Sequence, residues 1–240
     1  MKFFIFKGIR WPLSRLIFLF ITVGAVCIPV FGAMLSCNQK EVLNPLILSK
    51  QDSIDAQKLI TRAFKSITAV KPNIQSGDLI TRTGNDFTSQ GLRTLNQRNQ
   101  TYSHCGIASI ENDSLFIYHA LGGEWNPDEK LKREPFELFA EPYSNKGIGV
   151  FHFNLTDTTR QQLIKAAQNY YAAGLMFDMD FDLTTDDRMY CAEFIYKSFL
   201  KASHQQMVFN KSKIGRFIFI GVDDIFLHPL CSIKTAVVYK

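Results

Sequence analysis

The residues best suited to do chemistry are a cysteine and a histidine that lie far apart in the chain. Cys191 lies where an acid-rich loop turns into an apolar segment, and His104 begins an apolar run 87 residues earlier. A thiol attacks as its thiolate, and a helix N-terminus lowers its pKa because unpaired backbone N–H groups favour the anion. An imidazole can take up and return the proton. The pair predicts attack on a carbonyl by Cys191 with His104 as general base.

A histidine base needs a partner on its second ring nitrogen, and two residues compete for this role. His119 lies on an apolar run that follows the His104 run after the short polar turn 111–114, and a hairpin would bring the two histidines side by side. Asp78 follows Gly77 and is the rival, although an acid there is typical of a turn. We expect His119 to orient His104; a half-buried strand histidine is the competing interpretation.

The elements that must position these residues follow from hydrophobic periodicity. Strands and helices mix without internal repeats, and the run from His104 reads as a strand while the segment from Cys191 reads as a helix. The pattern predicts an α+β domain, an antiparallel sheet with helices packed on it. The predicted helices are 53–70, 156–173 and 191–202, with a short one near 87–95; the predicted strands are 76–84, 104–110, 115–120, 149–154, 216–220 and 234–239; residues 121–146 are predicted to form a long polar loop.

The N-terminal stretch is predicted to lie outside this domain. Residues 1–15 carry four basic side chains and no acid, and residues 16–35 carry no charge. A basic start before an apolar run of this length is typical of a signal peptide or an uncleaved membrane anchor, with the rest of the chain exported. We assign 1–37 to this segment, 38–52 to a linker and 53–240 to one domain. Cys37 is a candidate for lipidation; an ordinary thiol beside a membrane segment is the alternative.

Charge and cysteine content narrow the function classes. The chain has 27 basic and 22 acidic side chains, but five of the basic ones lie in residues 1–40, so the rest is formally neutral. A broad nucleic-acid surface is therefore not expected. Few cysteines follow the leader, which does not suggest a disulfide framework. The aspartates at 178, 180 and 182 lack the glycine and glutamate of a calcium loop, and no zinc spacing is present, so no metal or cofactor is expected.

Four motifs in order resemble a known family. They are Ser76-Gly77-Asp78-Leu79-Ile80, Ser103-His104-Cys105-Gly106-Ile107, Phe177-Asp178-Met179-Asp180-Phe181 and Tyr190-Cys191-Ala192-Glu193-Phe194-Ile195. Together they are similar to the permuted papain-like amidases of the YiiX/YaeF type, circularly permuted relatives of the NlpC-like cysteine peptidases. The resemblance implies a papain-like α+β fold and amide hydrolysis through a cysteine thioester.

The resemblance also assigns roles to residues. It implies that Cys191 is the nucleophile and His104 the base, and it places His119 where the family often has a glutamate. Tyr190, Asp78 and Asp178 are implied as supporting or substrate-binding residues, with Phe177 in place of the family's tyrosine.

Three functions remain open from the sequence. The first is an exported, membrane-tethered cysteine amidase acting on cell-wall peptides. The second keeps the thioester chemistry but acts on lipid acyl groups, which an apolar groove would favour. The third is a non-catalytic binding module with a degenerate site, for which the histidine at position 119 is the main support.

Overall fold

The domain is built on a six-stranded antiparallel sheet. A computed structural model describes residues 50–123 and 126–239. The strands are β1 (Leu79–Gly84), β2 (His104–Glu111), β3 (Ser114–His119), β4 (Lys132–Pro135), β5 (Asn145–Phe153) and β8 (Cys231–Val238), in the order β4-β3-β2-β1-β5-β8, with a separate hairpin of β6 (Ser212–Ile214) and β7 (Phe217–Phe219). The helices are α1 (Lys50–Val70), α2 (Phe87–Leu95), α3 (Phe136–Phe139), α4 (Asp157–Ala172), α5 (Cys191–Ala202) and α6 (Val222–Phe226).

The two faces of the sheet bury different cores because successive strand side chains point to opposite faces. One core contains Cys105, Ile107 and Tyr118 with the apolar sides of α4 and α5. The other contains Ala108 and Ile117 with α1 and α3. The sheet is therefore the middle layer of the domain, and β1 and β2 lie at its centre.

A tight turn sets the register of β2 against β3. Asn112 and Asp113 both have positive φ, 48° and 62°, as a two-residue hairpin turn requires. Ile107 pairs with Tyr118 and Glu111 with Ser114 in this hairpin. The predicted hairpin is present, and its register carries His104 and His119 to the same end of the sheet.

The structure also differs from the predicted elements. The predicted loop 121–146 contains β4 and α3, which the periodicity did not indicate because β4 has only four residues, three of them charged and the fourth a proline. Helix α1 begins at Lys50, three residues before the predicted domain boundary. The predicted leader, 1–37, and Cys37 lie outside the described residues. Between Lys50 and Tyr239, leaving out 124 and 125, no helix is both long and apolar enough to cross a bilayer.

Candidate active site

Cys191 is the first residue of α5, as the sequence predicts. Tyr190 precedes it in extended conformation at the N-cap position. The backbone N–H of Tyr190 donates to Glu193 Oε2 at 3.2 Å, which ties the start of the helix to its first turn. Cys191 and Tyr190 are both buried. The thiol thus sits at a helix N-terminus within the protein core.

The Cys105 side chain has the largest effect on the pKa of the Cys191 thiol and lowers it; the backbone of Ala192 and the positive charge of Arg82 lower it further. Burial acts in the opposite direction and raises this pKa. The Cys105 thiol is fully buried, and its pKa is raised well above the ordinary value by burial and by Cys191. Of this thiol pair, Cys191 is therefore the one that ionises first, which is what a nucleophile requires.

His104 and His119 are brought into direct contact. Their atoms Nε2 and Nδ1 lie 2.8 Å apart, and their rings meet edge to face. Both residues are buried, and His119 has no exposed surface. On its other side, His119 Nε2 lies 3.1 Å from Glu134 Oε2 of β4, although the angle is too bent for an aligned hydrogen bond. We treat this contact as mainly electrostatic. Glu134 is a site residue that the sequence analysis missed.

The order His104–His119–Glu134 fixes where the protons lie. A carboxylate accepts only, so it favours a proton on His119 Nε2. His119 Nδ1 then accepts from His104 Nε2, which leaves the Nδ1 of His104 with its lone pair. Burial lowers the pKa of both histidines, so the rings are neutral near pH 7. His104 is thus held in the tautomer that can accept a proton.

Replacing Glu134 tests this relay. Glu134→Gln removes the negative charge that raises the pKa of His119, so an imidazolium formed on the relay is less stabilised. We expect kcat/KM for amide hydrolysis to fall about tenfold, roughly 1.4 kcal/mol, and the acid limb of the pH–rate profile to move to lower pH. Glu129→Gln is the control, because Glu129 approaches Lys132 and not His119. An unchanged pH profile in Glu134→Gln would remove Glu134 from the relay.

Arg82 acts electrostatically on both parts of the site, the two histidines and the Cys191 thiol. It lies opposite His104 on β1, donates to the carbonyl oxygen of Phe139 at 3.0 Å and stacks over that ring. Its positive charge lowers the pKa of His104, His119 and Cys191. A half-buried cation here favours a thiolate and a neutral imidazole. No local sequence signal indicates this arginine, because the position of its guanidinium group depends on its contact with Phe139, 57 residues away.

The thiol and the predicted base are not hydrogen-bonded to each other in this structure. His104 and Cys105 are successive strand residues and point to opposite faces. The His104 ring packs on Phe139 in the core beside α1, whereas Cys105 and Cys191 belong to the core beside α5. Direct proton transfer therefore requires a rearrangement that brings the Cys191 thiol and the His104 ring to the same side of β2. Catalytic hydrogen bonds are often long before substrate binds.

A buried acid supports the helix behind the thiol. Glu193 has no exposed surface, and its Oε1 lies 3.0 Å from Lys197 Nζ, again with poor hydrogen-bond alignment. Burial raises the pKa of Glu193 to about 7, although Lys197 acts against this. Lys197 also contacts Asp186 at 2.7 Å. Burial outweighs the ion pair here because Lys197 is shared with this second carboxylate.

Glu193 makes stability depend on pH. Its pKa is near 4.5 when unfolded and about 7 when folded, so the folded state holds a proton that the unfolded state has lost. This contribution is present below pH 4.5 and is lost as the pH rises to 7, up to about 3 kcal/mol. Glu193→Gln should flatten this fall while keeping the bond to Tyr190. Urea unfolding at pH 4.5, 6 and 7.5 measures it, with exposed Asp187→Asn as control; equal slopes in parent and Glu193→Gln would show that Glu193 is ionised throughout.

Asp78, the rival candidate for orienting His104, lies away from that residue, which pairs with Arg82. It is fully buried and pairs with His152 Nδ1 at 2.8 Å and Lys234 Nζ at 3.0 Å. It also accepts from the backbone of Gln75 at 2.8 Å. It lies four positions before Arg82 along the chain, about 13 Å in extended conformation. Asp78 therefore braces the opposite end of β1 and cannot orient His104.

Asp178 and Tyr190 lie closer to the thiol but act on the backbone. Asp178 is buried and accepts from the backbone N–H groups of Asp180 and Asp182 at 2.9 and 2.6 Å, which shapes the acidic loop. The Tyr190 hydroxyl accepts from the Ile220 N–H at 2.8 Å. These contacts give both residues structural roles beside Cys191.

Cys191 opens onto a narrow, mainly apolar cleft. The cleft lies between the start of α5, the end of α2 and the segment after β7. Its polar members are Asn96 and Ser103. The lining is otherwise dominated by Leu92, Leu95, Phe181, Tyr190, Phe219, Ile220 and Val222. A substrate that reaches the thiol must therefore pass an apolar surface.

A solved structure shares this fold. The crystal structure of the metalloprotein YiiX from Escherichia coli O157:H7 aligns with a TM-score of 0.56 and 19% sequence identity, over 68% of this chain and 98% of that one. In the described part of the present chain, no group of three or more His, Cys, Asp or Glu side chains could hold a metal ion. No curated protein matches the sequence.

A family model covers the whole site. The model for the permuted papain-like amidase enzymes YaeF/YiiX, C92 family, matches residues 73–221, well over half of the chain. The matched range contains β1 with Arg82, the histidine hairpin, Glu134 and Cys191. It agrees with the antiparallel sheet and packed helices, and the permuted papain-like fold predicted from the sequence is confirmed. The chain belongs to the permuted papain-like amidase family of the YaeF/YiiX type.

Proposed function

We propose that this protein is a cysteine amidase in which Cys191 forms a thioester with the acyl part of its substrate. The observation that carries the proposal is the 2.8 Å contact between His104 and His119. It leaves a basic nitrogen on His104, which precedes in sequence the Cys105 thiol that lowers the pKa of Cys191. Membership of an amidase family supports the reaction class.

The reaction has two steps. The Cys191 thiolate attacks the amide carbonyl carbon, and backbone N–H groups of the first turn of α5 stabilise the oxyanion. The C–N bond breaks as His104 Nδ1, carrying the proton taken from the thiol, protonates the leaving amine. Water then attacks the thioester while His104 removes its proton, and the acid and the Cys191 thiol are released. His119 and Glu134 stabilise the imidazolium, and Arg82 favours the thiolate.

We further propose that the substrate is a peptide of the cell wall and that the protein is exported and membrane-tethered. The support is in the sequence: a basic start followed by the uncharged run 16–35. Cleavage of the leader and lipidation of Cys37 belong to the same proposal. An enzyme held at the outer face of the cytoplasmic membrane would meet cell-wall peptides directly.

A lipid acyl substrate is the second candidate, and one observation favours it. The lining of the Cys191 cleft is mainly apolar, with Leu92, Leu95, Phe181 and Phe219 among its residues. An acyl chain would bury apolar surface there, about 0.8 kcal/mol for each CH₂ group. The same thioester would then carry a fatty acyl group.

Hydrolysis of two substrate sets distinguishes these functions. The full chain in detergent, beside Cys191→Ala, is incubated with purified cell-wall peptide fragments and, separately, with acylated lipids. New amino groups from the fragments, absent with Cys191→Ala, support the cell-wall amidase. Fatty acid release alone supports the second candidate.

Thiol labelling completes the test. If neither substrate set reacts, iodoacetamide labelling at pH 6 reports whether Cys191 is an activated thiolate. Slow labelling of Cys191, at a rate like that of an ordinary thiol, would contradict both enzymatic readings and favour a binding module.

A further inference from the structure

One surface element stands out by its combination of apolar and basic side chains. The docking hairpin, defined here as Val208–Phe219, contains β6, β7 and their tip. Val208 is 81% exposed, Ile214 49% and Ile218 51%. Apolar side chains of this size clustered in one exposed hairpin are uncommon on a soluble surface and mark an interaction site.

The charge of the hairpin is all positive. Lys211, Lys213 and Arg216 are exposed, and no acid occurs between Glu193 and Asp223. The acids that follow are already engaged: Asp224 binds Arg98 and Ser212, and Asp223 accepts from the backbone of Arg98. Cations around an apolar tip complement an anionic surface with an apolar interior, and each such cation adds to attraction by anionic lipid.

The tip projects from the body of the domain. Gly215 has φ +60°, and a Cβ built there would meet nothing within 4 Å. The inward face of the hairpin is anchored instead: Ser212 pairs with Phe219, and both are buried. Lys213 and Ile218 pair on the outward face. The strands of the docking hairpin are thus anchored to the domain near Ser212 and Phe219, and its tip can insert into a surface outside the protein.

We propose that the docking hairpin binds the surface of an anionic phospholipid bilayer. Ile214 and Ile218 enter the headgroup region, and the three cations face lipid phosphates. The hairpin ends at Phe219 and Ile220, which line the Cys191 cleft, so docking brings the mouth of the cleft to the membrane surface. The proposal concerns a surface and not the reaction, so it stands or falls independently of amide hydrolysis.

The experiment measures contact at one residue, because the N-terminal run would attach the full chain to lipid in any case. Ile218→Trp and Val238→Trp are placed in the full chain, reconstituted in nanodiscs of phosphatidylglycerol with brominated acyl chains. Val238 is 77% exposed on β8 and is the matched control. The parent's fluorescence is subtracted in both cases.

We expect bromine to quench Ile218→Trp strongly and Val238→Trp little. Reversing two charges with Lys213→Glu and Arg216→Glu should lower the quenched fraction of Ile218→Trp, and so should replacing phosphatidylglycerol by phosphatidylcholine in the discs. Equal quenching of both tryptophans, or none at position 218, would overturn the proposal. A blue-shifted but unquenched Ile218→Trp would also overturn it, since the hairpin would then be covered by protein.

Discussion

Cys191→Ser is expected to lower kcat for amide hydrolysis by about 10³-fold or more, because a serine hydroxyl in a site arranged for a thiolate is a poor nucleophile. The lowered pKa of the thiol depends on Cys105, on Ala192 and on Arg82, and none of these is sufficient to ionise a hydroxyl. The side chain keeps nearly the same volume, so the fold should be preserved. Release of amino groups by parent and variant measures the effect, with thermal unfolding as a check on folding.

The matched control is Cys231→Ser. Cys231 lies on β8, and burial raises its pKa to about 12, so it is protonated at neutral pH and should contribute nothing to the reaction. This variant should retain the parent's kcat within about twofold. A Cys191→Ser protein that is folded and keeps more than a tenth of the parent rate would place the nucleophile elsewhere.

His104→Gln is expected to reduce kcat/KM by about 10² to 10⁴-fold, the range that general-base catalysis supplies. Glutamine can still donate to His119 Nδ1, so the hydrogen bond of the relay survives while the basic nitrogen is lost. The pKa of His104 is held well below 6.5 by burial and by Arg82. The acid limb of the parent profile should therefore lie below pH 6.5, and His104→Gln should lack it.

His204→Gln is the control for His104→Gln, because it removes an imidazole group outside the site. His204 is exposed in the turn after α5, far along the chain from the relay, and its replacement should leave the rate and the pH profile unchanged. If His104→Gln lowers the rate but keeps the acid limb, the titrating group is another residue and His104 has a positioning role.

The hairpin of the two histidines could be predicted from sequence because its determinants are local. Two apolar runs, a short polar turn and a period of two fix which residues face each other. The start of α5 at Cys191 could also be predicted from the sequence, since an acidic loop changes there into an apolar helix. The order of the four motifs along the chain predicted the permuted papain-like fold.

The remaining site residues depend on contacts that no local pattern encodes. Glu134 lies in a four-residue strand within what looked like a loop, and it meets His119 only because β4 pairs with β3. Arg82 acts at a distance through a long side chain packed on Phe139. Cys105 could not be placed from sequence, because its contact with Cys191 depends on the packing of α5 across β2. Asp78 matched a motif but belongs to a different charge cluster.

The positive-φ turn at Asn112 and Asp113 also bears on the order of folding. Only 15 residues separate His104 from His119, so closing their hairpin has a small entropic cost, and isolated hairpins form in about 1–10 μs. Cys191 is 87 residues from His104, and it reaches the sheet only when α5 docks, a non-local step that is intrinsically slower. We therefore expect a newly made chain to pair its two histidines first and to gain its activated thiolate last, when the surrounding core is complete.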